Sequence, residues 1–110
     1  MAIVIVPGQQ LEKDPSDWKL IEFDWDTHLA VGAAMVDKGT LVITDTTQPP
    51  DESISLTQDE FSLVAGNRKV HFRLKDGTPG HMYNVSHFIE TNETPSQKRD
   101  RSFFVWVRQK

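Results

Sequence analysis

Four histidines, His28, His71, His81 and His87, are the first residues to test for chemistry. Imidazole is the commonest metal ligand and titrates near neutral pH. A zinc site needs three or four convergent ligands. His71 and His81 flank one turn and could meet on neighbouring strands, but no third ligand is spaced to join them. His87 shares its parity with Tyr83, Val85 and Ile89, which turns it towards the core as a hydrogen-bonded structural residue. Asp14, Asp17, Asp24 and Asp26 surround Trp18 and Trp25. Paired carboxylates do acid–base work or hold calcium. Here the glycine and closing glutamate of a calcium loop are missing, and Asp24 reads as the solvent side of a strand. Gly77-Thr78-Pro79-Gly80 is not a phosphate loop, since no helix follows to hold the anion. It reads as a hairpin turn. Nucleophile elbows and metalloprotease helices are absent. The residues therefore offer no catalytic group, no metal site and no cofactor site.

Composition narrows the class further. The chain has 110 residues, with 12 Lys+Arg against 16 Asp+Glu, a formal net charge of −4. That size suits one domain with a real core. The acidity speaks against a nucleic-acid partner, which normally meets a basic stripe. There is no cysteine, which excludes disulfides and thiol chemistry. No apolar run approaches the length of a membrane helix. The opening Met1 to Pro7 lacks a basic n-region, so no signal peptide is expected.

The elements that must carry any site are strands. Val70, Phe72 and Leu74 alternate with His71, Arg73 and Lys75, a period of two. Ile21, Phe23 and Trp25 share one face of an earlier segment, and Tyr83, Val85 and Ile89 one face of a later one. In the last segment Phe103, Val105 and Val107 point one way, Phe104 and Trp106 the other. Residues 33–36 and 40–44 flank Asp37-Lys38-Gly39 and read as a hairpin. Residues 59–65 fit a strand or a helical turn. Ile3 to Val6 is a short β-branched strand, and residues 11–16 a polar arm or linker. Residues 45–53, with Pro49-Pro50, and 92–100 read as loops, mobile until a partner orders them, and residues 54–56 as a short strand. Seven or so short strands separated by turns predict an all-β, antiparallel β-sandwich. An N-terminal strand and arm, residues 1–16, precedes the sandwich domain, residues 17–110.

The chemistry left over is apolar and outward. With Phe103, Val105 and Val107 inside, Phe104 and Trp106 lie outside, about 7 Å apart at strand spacing. With Trp18 and the Ile3 and Ile5 start, they make more outward apolar surface than a monomer normally exposes: either an interaction surface, or a patch that a neighbouring segment of the same chain covers, the N-terminal strand being the candidate. An edge position for the last strand would also leave backbone groups open to a partner, or to residues 3–6 of a neighbouring copy.

These residues carry a resemblance. Asp14-Pro15-Ser16-Asp17 leads into Phe23-Asp24-Trp25, then Leu29, and Gly66 before an alternating strand. Gly77-Thr78-x-Gly80, Tyr83-x-Val85, Ile89-x-Thr91 and Arg101-Ser102-Phe103-x-Val105-x-Val107 complete the pattern. From Asp14 onward the chain resembles the small fibre–tail adaptor proteins of tailed bacteriophages. His87 departs from it, standing where the family commonly has a small polar residue. The resemblance implies an immunoglobulin-like or fibronectin-like sandwich without an active site. It implies a virion structural protein, assembled in the bacterial host cytoplasm and binding other virion proteins (tail, fibre or connector components) as a homo-oligomer. The other class the residues admit is a carbohydrate-binding or adhesion sandwich using Trp18, Phe104 or Trp106 as stacking platforms.

Overall fold

The computed structural model describes residues 2–47 and 56–108. They form eight strands: β1 (Ile3–Ile5), β2 (Gln10–Lys13), β3 (Lys19–Asp24), β4 (Thr40–Asp45), β5 (Leu56–Leu63), β6 (Lys69–Asp76), β7 (Met82–Glu90) and β8 (Lys98–Val107). The one helical piece among the described residues is a 3-10 turn over Asp26–His28. Two four-stranded sheets result. The first runs β1-β3-β6-β5 and the second β2-β8-β7-β4. All twelve apolar residues that alternation turns inward are buried: Ile21, Phe23, Trp25, Val70, Phe72, Leu74, Tyr83, Val85, Ile89, Phe103, Val105 and Val107. They interlock between the sheets, with the Phe23 and Phe103 rings 5.2 Å apart and Phe72 and Phe103 6.1 Å apart. The architecture is an all-β sandwich, as the period-two segments require.

The structure departs from the sequence reading in connection more than in content. The sheets are mixed, because β1 lies parallel to β3 and β2 parallel to β8. The segment read as a polar arm begins as β2. Leu11 and Lys13 face inward and Lys13 is fully buried. Its ammonium donates to the carbonyls of Asp76 at 2.6 Å and Asp14 at 3.0 Å, and burial pushes its pKa down. The chain passes from the first sheet to the second at Pro7-Gly8, where the Gly8 N–H donates to the Ser102 carbonyl.

The turn over residues 77–80 is not a hairpin, since β6 and β7 lie in different sheets. Gly77 has φ +105, and a Cβ there would sit 2.8 Å from Val107. Nor do residues 33–36 pair with β4. Only Met35 bridges, to Thr91, and β4 pairs with β7 instead. Gly39 closes this turn at φ +73, and a Cβ would stand 2.1 Å from the Phe88 carbonyl oxygen, so the chain passes there only as glycine. Residues 59–63 belong to β5, which bulges between Asp59 and Ser62 with Glu60 at φ 56. β8 already begins at Lys98, so the loop expected over 92–100 is shorter. Most of the loop expected over 45–53 lies outside the described residues, and of the strand expected over 54–56 only Leu56 is described, in β5.

Candidate interaction surface

Pairing decides which outward side chains become neighbours. On the second sheet, Glu12, Trp106 and Met82 form one cross-strand row, and Gln10, Phe104, Asn84 and Thr44 the next. Ser102, Ser86 and Val42 follow, then Asp100, Phe88 and Thr40. The middle of this face carries no charge. Its apolar members are Trp106 and Met82, both half-buried, Phe104 at 39% exposure, and Val42 and Phe88 at 44% each. Charge sits at its margins: Arg108 donates to Glu12 at 2.8 Å at one end, and Asp100 lies opposite Phe88 at the other.

The outer face of the first sheet is built from ion pairs. Arg73 grips Asp59 with two bonds of 2.9 and 2.7 Å, and Lys75 adds a contact at 3.0 Å. Those partners, Arg73 first, hold the Asp59 carboxyl down to about 2. Glu22 meets His71 at 2.9 Å and Lys69 at 3.6 Å, and the His71 hydrogen bond lowers the Glu22 pKa. Trp18 lies on this face. The Arg73 guanidinium stands 4.8 Å and the Lys75 ammonium 5.1 Å from its ring centre.

The five residues read from sequence as one surface therefore separate. Phe104 and Trp106 lie on the second sheet, and Trp18, 58% exposed, on the opposite side of the sandwich. Ile5 is only 5% exposed, because it points into the core from β1, and Ile3 is half-buried beside it. Their strand pairs with β3 of its own chain. β8 is not an edge either, being flanked by β2 and β7. Phe88, Val42 and Met82 were missed. The parity of Phe88 against His87 and Ile89 was a usable signal, whereas the placing of Val42 and Met82 beside the aromatics exists only once the strands are paired.

The histidines stay apart. His71 binds Glu22 on the first sheet and His81 meets Asp45 at 2.8 Å beside the second. His87 is buried, as its parity requires. The Trp25 indole N–H donates to His87 Nδ1 at 2.8 Å, and His87 Nε2 lies 2.6 Å from the Lys38 carbonyl. An indole N–H can only donate. Nδ1 is therefore the acceptor, and the proton sits on Nε2, donating to Lys38. Burial pushes the His87 pKa down, so the ring is a neutral bridge in the core. A cleft of about 360 Å³ opens where Gly39 and Thr40 meet Phe88, Ile89 and Glu90. Its charges, Asp37, Glu90 and Asp100 against Lys98 and Arg99, are mixed in sign.

The sandwich carries an aromatic face with charge only at its margins, and among the described residues no group of three or more histidines and carboxylates converges to hold a metal. Residues 13–106 match the model of the podophage GP4 fiber-tail adaptor protein gp77 family. The chain belongs to this family. It is thus a phage fiber-tail adaptor by family, a structural class found in the virion. No curated protein matches the chain. Among solved structures, it is similar to a cysteine protease inhibitor from Entamoeba histolytica, with 14% identity, a TM-score of 0.49, and coverage of 96% of this chain and 93% of that one.

Proposed function

We propose that this adaptor is a non-enzymatic virion protein that binds tail, fibre or connector proteins in multiple copies, and that it does so through the outer face of the second sheet. The observation that carries the reading is the patch of Trp106, Phe104, Met82, Phe88 and Val42, with charge only at its two ends, Glu12 and Asp100, on a chain whose opposite face is laced with ion pairs. Desolvating an uncharged aromatic surface costs little, and such residues dominate interface energies. Assembly takes place in the bacterial host cytoplasm. The body is immunoglobulin-like. The order β1-β3-β6-β5 against β2-β8-β7-β4 supports that reading. So does Tyr83 near the start of β7, whose hydroxyl accepts the Thr78 N–H at 2.9 Å. Residues 17–110 form this body, and residues 1–16 strap it by adding one strand to each sheet.

The test pairs substitutions on the two faces. Phe104→Ser with Trp106→Ser should abolish incorporation into tails in a complementation assay while leaving a folded protein. Trp18→Ser with Leu20→Ser, on the opposite face, should leave incorporation intact. The reverse pattern, with both proteins folded, would assign binding to the first sheet.

A further inference from the structure

The two sheets have four edges, and three are protected against strand addition. β1 is three residues long. β2 is four long and turns Lys13 inward. β5 is bent by the bulge at Glu60. Short length, inward charge and bulges are the devices by which proteins block edge pairing. β4 has none of them. It runs six residues, Thr40-Leu41-Val42-Ile43-Thr44-Asp45, in unbroken register with β7 and without lysine, proline or bulge.

Its open hydrogen-bonding groups can be named. The Thr46 N–H bonds to the Met82 carbonyl. In the β4–β7 register this makes Thr40, Val42 and Thr44 the residues that exchange bonds with β7. The N–H and C=O groups of Leu41 and Ile43 then point to the free edge, where none of the described residues meets them.

From this edge we infer that β4 pairs antiparallel with β4 of a second copy of the chain, about a two-fold axis at Val42. This rests on the multi-copy reading above and names its surface. Open groups must face open groups, so only registers that place odd-numbered residues opposite one another are allowed. Centring on Val42 sets Leu41 opposite Ile43 of the second copy, and Ile43 opposite its Leu41, closing four hydrogen bonds. The two Val42 side chains then meet across the close, non-hydrogen-bonded position, where β-branched pairs stabilise sheets. Each covers the other's exposed surface, and the half-buried Leu41 and Ile43 are covered with them. Charges are compatible too. Asp45, the one charged residue of β4, falls opposite Gly39 beside Lys38, whereas a parallel pairing would oppose Asp45 to itself. The product is one eight-stranded sheet. Its outer face joins two copies of the Phe104 and Trp106 patch into a continuous, bivalent platform.

Cysteine cross-linking tests the register, because these 110 residues include no cysteine. At a close antiparallel pair the Cα atoms are about 4.5 Å apart, within disulfide range. Val42→Cys should form a covalent dimer under mild oxidation at least an order of magnitude faster than Val4→Cys on the other sheet. Thr44→Cys should not, since it faces Thr40. Val42→Lys should remain folded by circular dichroism and sediment as a monomer at concentrations where the unmodified chain dimerises. If the unmodified chain self-associates but Val42→Cys cross-links no faster than Val4→Cys, the multi-copy reading survives and the β4 edge is overturned. If the chain stays monomeric and Val42→Cys stays reduced, the inference fails. A mixed disulfide from Val42→Cys to a different virion protein in assembled tails, without the homodimer, would overturn the second copy as occupant.

Discussion

The two outer faces of the sandwich are built on the same backbone geometry and could hardly differ more in chemistry. On the first sheet Glu22 and Asp59 are paired with Lys69, Arg73 and Lys75, His71 hydrogen-bonds Glu22, and Arg73 and Lys75 stand over the ring of Trp18. On the second, serine, threonine and asparagine separate Phe104, Trp106, Phe88 and Val42. Any partner of the first face must strip water from paired ions, and such desolvation cancels much of what the contact would return. A partner of the second face displaces water from rings and methyls. Exposure alone does not mark a binding surface. Trp18 is more exposed than Phe104, yet its cation contacts are already made within its own chain.

The largest expected effect lies beneath both faces. Phe103 contacts Phe23 and Phe72 from the other sheet, so Phe103→Ala should cost about 3–5 kcal/mol, read as a fall in the denaturation midpoint. Next comes the second face itself. Losing Phe104 or Trp106 should weaken partner binding by about 2 kcal/mol each, with the melting temperature nearly unchanged for Phe104→Ser. A comparable loss on replacing Trp18 would erase the distinction between the faces.

Acid separates core from surface. The His87 pKa is below its ordinary 6.5 because of burial. The unfolded chain therefore takes up the proton first, and the stability this neutral ring secures is complete above about 6.5 and declines as the pH falls towards its folded value. Thermal melts in a pH series should show that decline in the unmodified chain, and a flatter profile in His87→Gln. The smallest effect belongs to the first face. The Asp59 carboxyl sits at about 2 against an ordinary 3.8, so its contribution is full above 3.8 and fades as the pH falls towards 2. Asp59→Asn should lower the melting temperature slightly, and less still in high salt, because exposed pairs are screened.

Much of this fold was legible in the residues, because alternation reports which face of a strand is dry. Ile21, Phe23, Trp25, Phe72, Leu74 and Phe103 all lie where their parity directs. Lys13 was illegible for the same reason, since a lysine pointing inward breaks the only rule being applied. Gly39 and Gly77 announce that the chain turns, but a turn does not say whether the next strand joins the same sheet or crosses to the other. The outward direction of Phe104 and Trp106 was legible. The separation of Trp18 from them was not, because it depends on Arg73 and Lys75, which come close only through the β3–β6 pairing. Arg68 shows the same limit. Its guanidinium gathers the carbonyls of Asp26, Leu29, Ala30 and Ala33 and the Asp26 carboxylate, holding a loop some forty residues away in sequence.

The chain's three tryptophans allow the central claim to be measured directly. Trp106 lies on the second face, Trp18 on the first, and Trp25 in the core. Hydroxyl-radical footprinting with mass spectrometry can compare their oxidation in the free protein and in assembled tails, with Trp25 as the shielded reference in both. The account predicts that Trp106 and Phe104 become protected on assembly while Trp18 oxidises as before. Protection of Trp18 with unchanged oxidation of Trp106 and Phe104 would contradict it.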